Sequence, residues 1–216
     1  MAAPVSLAFP SLTPLERYKL LCGLVIPRPI ALVTTVGPGG VVNAAPFSFF
    51  NAFSEDPPLV VLGVQSNPDG SLKDTASHIR DSGAFVVNLV DEALGARMNT
   101  CAVDFPPDIS EIEMSGLATA SGVAVAVPHI VDAPAAFECR HYKTLEVSAL
   151  RQLIIGEIVH LHARSGVVDP ARMYVNLGEY KPLARLFGNL YAPLGEPFDL
   201  TRQSYGEWKA SNRAAE

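Results

Sequence analysis

No uncharged apolar run in this 216-residue chain approaches the roughly 20 residues that cross a bilayer, so no membrane helix is expected. The N-terminus has no basic segment followed by an apolar stretch. Without such a secretory signal the chain is expected in the cytoplasm. Basic residues are outnumbered, 16 Lys and Arg against 22 Asp and Glu, and they form no stripe or cluster. The resulting charge of −6 argues against nucleic acid as a partner. Cys22, Cys101 and Cys139 are odd in number, far apart and without a CxxC pair, and read as reduced thiols. There is no GxGxxG after a strand and no GxxxxGK[ST], which sets aside a Rossmann dinucleotide site and a P-loop. A GxSxG elbow is also missing, so a Ser–His–acid hydrolase ranks low.

What is present is apolar and turn-rich. Hydrophobic residues make 49% of the chain, enough for an ample core at this length. The 16 glycines and 18 prolines, about one residue in six, favour short strands over a helical bundle. Residues 1–12 read as an extended arm. Thr13-Pro14-Leu15-Glu16 is a capping box with proline at the first helical position, opening a helix to about Cys22 with Gly23 as its stop. Strands are expected over Pro29–Val36 and Val41–Ala45, joined at Gly37–Gly40, and over Leu59–Val64 and Ala84–Val90, the last two with both faces buried. A helix starts near Asp74 and stops before Gly83, and another spans Asp91 to about Thr100. Residues 104–115 are irregular or short helix, and residues 118–127 resist assignment. Two long strands, Ala136–Val147 and Gln152–Ala163, complete a mainly β chain with peripheral helices, an α+β class. No repeat or linker divides it, so one domain is expected over 1–216, with a core of about 20–165 and a C-terminal strap from 166 that is mixed over 170–180 and extended rather than helical from Leu186.

Three stretches are candidates for chemistry. The first is Asn43–Asn51, NAAPFSFFN. Pro46 cannot donate to a ladder, so the run is a poor central strand, yet it is too apolar for a solvated loop. It reads either as a wall for a flat ring or as a strand end whose phenylalanines enter the core. The second is Lys73-Asp74-Thr75. With Asp74 as the cap, the helix N-terminus, the Lys73 charge and the Thr75 hydroxyl suit a phosphate. An ordinary capped helix beside a solvated lysine is the plainer account. The third is His160 and His162, two apart on one strand face, a candidate pair of metal ligands. No cysteine stands at ligand spacing, although folding can bring His129 or His141 near. A surface or interface role is favoured, and no metal is assigned.

Read together, PRPIALVTT at 27–35, NAAPFSFFN at 43–51, DPPLVVLGV at 56–64, KDTASHI at 73–79 and FVVNLV at 85–90 resemble the flavin reductase-like family. FECR at 137–140, IIGEIVHLHAR at 154–164 and PLARLFGNLYA at 182–192 extend the resemblance to roughly residues 20–205. The resemblance implies an FMN-binding split β-barrel and a homodimer with FMN near the subunit interface. Carried over by position, Ala45, Pro46, Phe47 and Phe49 would flank the ring system. Ser48, Lys73 and Thr75 would hold the phosphate, with Arg28 and Thr35 as further donors. Tyr191 would cover the ring, from this subunit or the other. His78 departs from the family's usual asparagine. The activity so implied is NAD(P)H-dependent flavin reduction, with NADH or NADPH as co-substrate and a partner monooxygenase or another electron acceptor downstream. A flavoredoxin-like FMN electron carrier is the alternative, and a non-catalytic flavin- or haem-binding barrel a third. Hydride transfer is cofactor chemistry, so binding residues are named and no catalytic side chain.

Overall fold

The computed structural model describes residues 3–106 and 108–213. Residues 1–2 of the expected arm, Pro107 of the expected irregular stretch and residues 214–216 of the strap lie outside them. In chain order the elements are α1 (Pro14–Leu24), β1 (Ala31–Val36), β2 (Val42–Phe47), β3 (Phe50–Glu55), β4 (Pro58–Gln65), α2 (Asp74–Ser82), β5 (Ala84–Leu89), α3 (Gly95–Thr100) and α4 (Glu111–Ser115). There follow β6 (Thr119–Ala120), β7 (His129–Ile130), β8 (Ala135–Ser148), β9 (Arg151–Ala163), β10 (Val168–Asp169), β11 (Tyr174–Val175), α5 (Leu177–Tyr180), β12 (Leu183–Arg185), β13 (Tyr191–Pro193) and α6 (Tyr205–Arg213).

Seven strands form one sheet in the order β2-β1-β5-β8-β9-β4-β3. β2 and β3 are its two edges, yet only Ser48 and Phe49 separate them in sequence. So short a link spans roughly 10 Å, and the sheet must curl until its edges approach each other. No ladder joins β2 to β3, so the curl remains an open, split barrel rather than a closed one. The expected mainly β architecture with peripheral helices is what forms.

Pleating sorts the core. Along β1, Ala31 and Val33 join the barrel interior with Val60, Leu62, Phe85, Val87 and Ile154. Leu32, on the other face, joins Leu94, Met98, Ile112 and Ile130 beneath α3 and α4. β5 is buried on both faces as expected. β4 is not: Val60, Leu62 and Val64 are buried, while Leu59 and Val61 are only half-buried. Helices α2, α3 and α4 pack mainly on β1, β2 and β5 rather than on β4.

Several boundaries differ from expectation for local reasons. Helix α1 carries its capping box as read, but runs through Gly23 to Leu24. Its C-terminal carbonyls are met by the Arg28 guanidinium instead of by a left-handed glycine. β2 continues through Pro46 to Phe47 because an edge strand needs no N–H on its free side. The segment after it, to which the sequence assigns no element, forms β3. Helix α3 starts only at Gly95, since Asp91 instead accepts the Leu94 N–H and an Arg164 N–H (both 3.0 Å). The strap contains the short helix α5, and after β13 it runs without regular structure to Ser204 before turning helical: Ser204 and Glu207 form a second capping box that opens α6. No helix among the described residues is long and apolar enough to cross a membrane.

Residues 123–125 owe their course to one buried carboxylate. Glu138 on β8 accepts the N–H groups of Val123 (2.6 Å), Ala124 (2.6 Å) and Val125 (2.8 Å). Burial pushes its pKa up, but those donors and the His162 ring outweigh burial and hold it at about 2.

The barrel interior is tight where β8 and β9 cross β5. A Cβ at Gly156 would overlap the Phe85 ring and approach Cys139 Cβ at 3.2 Å. Gly156→Ala is therefore expected to lower stability by about 1–3 kcal/mol, read as a fall in the urea midpoint. An unchanged midpoint would show that the interior has room there.

Candidate functional site

Between β2 and the start of α2 lies a groove of about 660 Å³. Asn43, Ala45, Pro46 and Phe47 form one wall, Lys73, Asp74 and Thr75 the opposite end, and residues 101–105 with Glu111 the third side. A smaller cleft of about 210 Å³ shares Pro46, Phe47, Gln65 and Lys73 with it and adds Tyr18, Ser48, Phe49 and Arg151. The groove exists because the free edge of β2 is held off by α4 rather than paired with another strand. Glu111 Oε2 accepts the Ala44 N–H at 3.0 Å, and Ser110 Oγ donates to the Val42 carbonyl at 2.5 Å.

The end wall is a helix N-terminus. The cap of α2 is Lys73, not the expected Asp74, which is the first helical residue, and no side chain caps the first turn. The Ser77 N–H is the first to reach back, to the Lys73 carbonyl at 3.0 Å. The N–H groups of residues 74–76 thus carry the partial positive charge of the helix end without an intrahelical acceptor. Lys73 Nζ lies 3.6 Å from the exposed Asp104 carboxylate, a loose pair that an anion displaces cheaply.

Behind this end runs a chain of polar contacts. Asn43 Nδ2 donates to Thr75 Oγ1 (3.2 Å) and Thr35 Oγ1 (3.4 Å), and Thr35 Oγ1 meets His78 Nδ1 at 3.0 Å. With an oxygen lone pair engaged by Asn43, the Thr75 hydroxyl keeps its own proton to donate. His78 in turn lies against Gly37, where a Cβ would come within 2.7 Å of Nε2.

The structure brings Ala45, Pro46, Phe47, Lys73 and Thr75 together in the groove, with Ser48 and Phe49 in the adjoining cleft. The core reading of the phenylalanine run holds for two of its three rings. Phe47 and Phe50 pack on the barrel interior, while Phe49 is 39% exposed and tilts against Tyr18. Thr35 is fully buried and touches the site only through Asn43. Arg28 is buried too: it donates to the carbonyls of Cys22 (2.6 Å), Val25 (2.9 Å) and Leu186 (2.8 Å), and reaches Ser48 Oγ only at 3.4 Å. It ties α1 and the strap to the β2–β3 link. Tyr191 lines neither cavity of its own chain. Arg185 lies 4.4 Å over its ring, and its hydroxyl meets Asn99 Oδ1.

Glu111, Arg151 and Tyr18 are not among the residues the sequence singles out, and Asn43, though it opens the candidate stretch, is given no role there. An asparagine within a strand was the available signal for Asn43, since the residue is depleted there. Arg151 reaches the cleft through the β8–β9 register, which nothing local announces. Cys101 borders the groove, but burial pushes its thiol up, so it is no ready thiolate.

With this geometry in hand, comparison with known proteins is informative. The flavin reductase like domain matches residues 23–184, and the chain belongs to that family. It is 39% identical to the Pseudomonas fluorescens 2-nitrobenzoate 2-nitroreductase NbaA, with a TM-score of 0.86 over 93% of this chain and 98% of that one. Nitrilotriacetate monooxygenase component B from Bacillus cereus is 36% identical, with a TM-score of 0.87 over 93% of this chain and all (100%) of that one. The uncharacterized protein YwrF of Bacillus subtilis is 43% identical over 88% of this chain and 94% of its own length. The fold is the split barrel of these flavin reductase-like proteins.

Arg28 offers a test of how the cleft is held. Arg28→Met leaves three carbonyls without their donor, and a loss of roughly 2–4 kcal/mol in unfolding free energy is expected. A variant as stable as the parent in denaturant would show that those carbonyls find other partners.

Proposed function

We propose that this chain, a single flavin reductase-like domain, binds FMN in the groove between β2 and α2. In this reading it works as an NAD(P)H-dependent flavin oxidoreductase. The observation that carries this is the uncapped first turn of α2, with Lys73 and Thr75, opening into a groove walled by Ala45–Phe47. The groove volume, about 660 Å³, falls within the roughly 300–1,000 Å³ of small-molecule sites. A phosphomonoester carries nearly two negative charges, and free N–H groups, an ammonium and a hydroxyl are the donors it needs.

Bound FMN would supply hydride acceptance from a nicotinamide and onward electron transfer. The chain's own residues do the holding. Lys73, Thr75 and the N–H groups of α2 take the phosphate, and Asn43 fixes the Thr75 hydroxyl. The small Ala45 and the ring of Phe47 leave flat apolar surface for the isoalloxazine. Ser48 and Arg151 border the cleft alongside Phe49, where a second, nicotinamide-bearing molecule has access.

The molecule acts as a homodimer in this reading, and Tyr191 serves the site of the second copy. Apolar side chains left exposed along the β8–β9 hairpin and strap, among them Val147 (63%) and Phe198 (81%), support a protein partner there. A cytoplasmic site of action fits three buried free thiols. The component B relative favours a partner monooxygenase as electron acceptor.

Lys73→Ala is expected to weaken FMN binding by about 1.5–3 kcal/mol in a fluorescence titration, the usual worth of a charged hydrogen bond. The parent protein should also oxidise NADH or NADPH when FMN is present. Unchanged affinity in the variant would remove the phosphate from Lys73. Tight FMN without nicotinamide turnover would leave an electron carrier in place of the reductase.

A further inference from the structure

At the far end of β8 and β9, away from the groove, three elements bring four ligating side chains together. Glu138 and His160 are direct partners across the β8–β9 ladder, and His162 follows on the same face. One ligand atom from each of these three lies within 4.8 Å of the others. His129, from β7, stacks on His162 with ring centroids 3.9 Å apart, and His160 approaches His162 at 4.7 Å. The sequence favoured a surface or interface role for the HxH pair, because no third ligand stood near it. Glu138 is that third ligand: it sits 22 residues upstream of His160 and only the β8–β9 register delivers it.

We propose that Glu138, His160 and His162 form a binding site for one divalent first-row transition ion of the zinc type, with His129 as the adjoining fourth group. Two imidazoles and a carboxylate are a recurrent ligand set for such ions. An all-oxygen cation such as Ca²⁺ or Mg²⁺ finds no oxygen cage here. Cys139 takes no part, since the pleat turns it into the barrel interior.

The geometry needs only side-chain adjustment. Zinc bonds of about 2.0–2.1 Å put tetrahedral ligand atoms roughly 3.3 Å apart. His162 Nε2 and Glu138 Oε1 are already 2.6 Å apart, with the proton on the imidazole because the carboxylate only accepts. Zinc takes Nε2 of the neutral ring once that proton shifts to Nδ1, which leaves both groups as ligands. The three N–H groups of residues 123–125 hold the carboxylate in orientation, the role an outer shell plays at a metal site.

Two further observations fit this assignment. His129 Nδ1 is buried with no hydrogen-bond partner, an arrangement that is uncommon among buried polar atoms. A cavity of about 380 Å³ is bordered by His129 and His162, so two of the four groups face open space.

The test uses the full chain, free of any affinity tag and stripped with chelator, titrated with ZnCl₂ by calorimetry with and without FMN. One Zn²⁺ per chain is expected in both conditions. His160→Ala leaves the Glu138–His162 contact intact and should lower the affinity at least tenfold. His162→Gln should do the same if the first variant folds poorly. Co²⁺ in place of Zn²⁺ should give visible d–d absorption in the parent and lose it in the variants. No stoichiometric Zn²⁺ binding by the parent, or equal binding by a folded variant, overturns the site.

Discussion

Pro46 has no N–H to give, and much of the architecture follows from where such a residue can sit. It is tolerated at a sheet edge and nowhere further in. β2 must therefore end the sheet, and the two-residue link to β3 forces the opposite edge to curl round beside it. The result is a barrel that cannot close at Phe47–Phe50. What a closed barrel would fill with another strand is left as a groove. Its open side is bordered by α4, whose Glu111 and Ser110 satisfy the stranded backbone of Ala44 and Val42.

The same edge sets the polarity of the groove. α2 packs on β1, β2 and β5 and aims its N-terminus along the free margin of β2. No side chain closes that turn, so its N–H groups and Lys73 keep their charge for whatever enters. Acidic groups, Asp104 and Glu111, border the other side. The groove thus has a cationic end and an apolar wall, a pattern that orients an amphipathic molecule with an anionic tail before any specific contact is made.

Much of this was legible in the residues, and the parts that were not share a cause. The capping box at Thr13–Glu16, the stop at Gly83 and the long β8–β9 pair are local signals, and they hold. Five of the residues the motifs single out, Ala45, Pro46, Phe47, Lys73 and Thr75, line one groove. What local pattern could not carry was register and burial. Arg28 is expected as a further phosphate donor, yet its guanidinium is engaged by three backbone carbonyls, two at the end of α1 and one in the strap. Thr35 serves the site at one remove, through Asn43. Glu138 seemed one more strand residue until the ladder set it opposite His160. The Ser204-x-x-Glu207 box is a local signal as well, but Pro193 and Pro197 before it favour an extended strap.

The account rests on an anionic tail held at the start of α2. A crystal structure of the protein grown with FMN tests that claim most directly. The phosphate oxygens should lie about 2.7–3.2 Å from the Thr75 N–H and hydroxyl and from Lys73 Nζ, with the ring system along Ala45–Phe47. A flavin bound elsewhere on the chain, or a groove closed by its own side chains at saturating FMN, would contradict it.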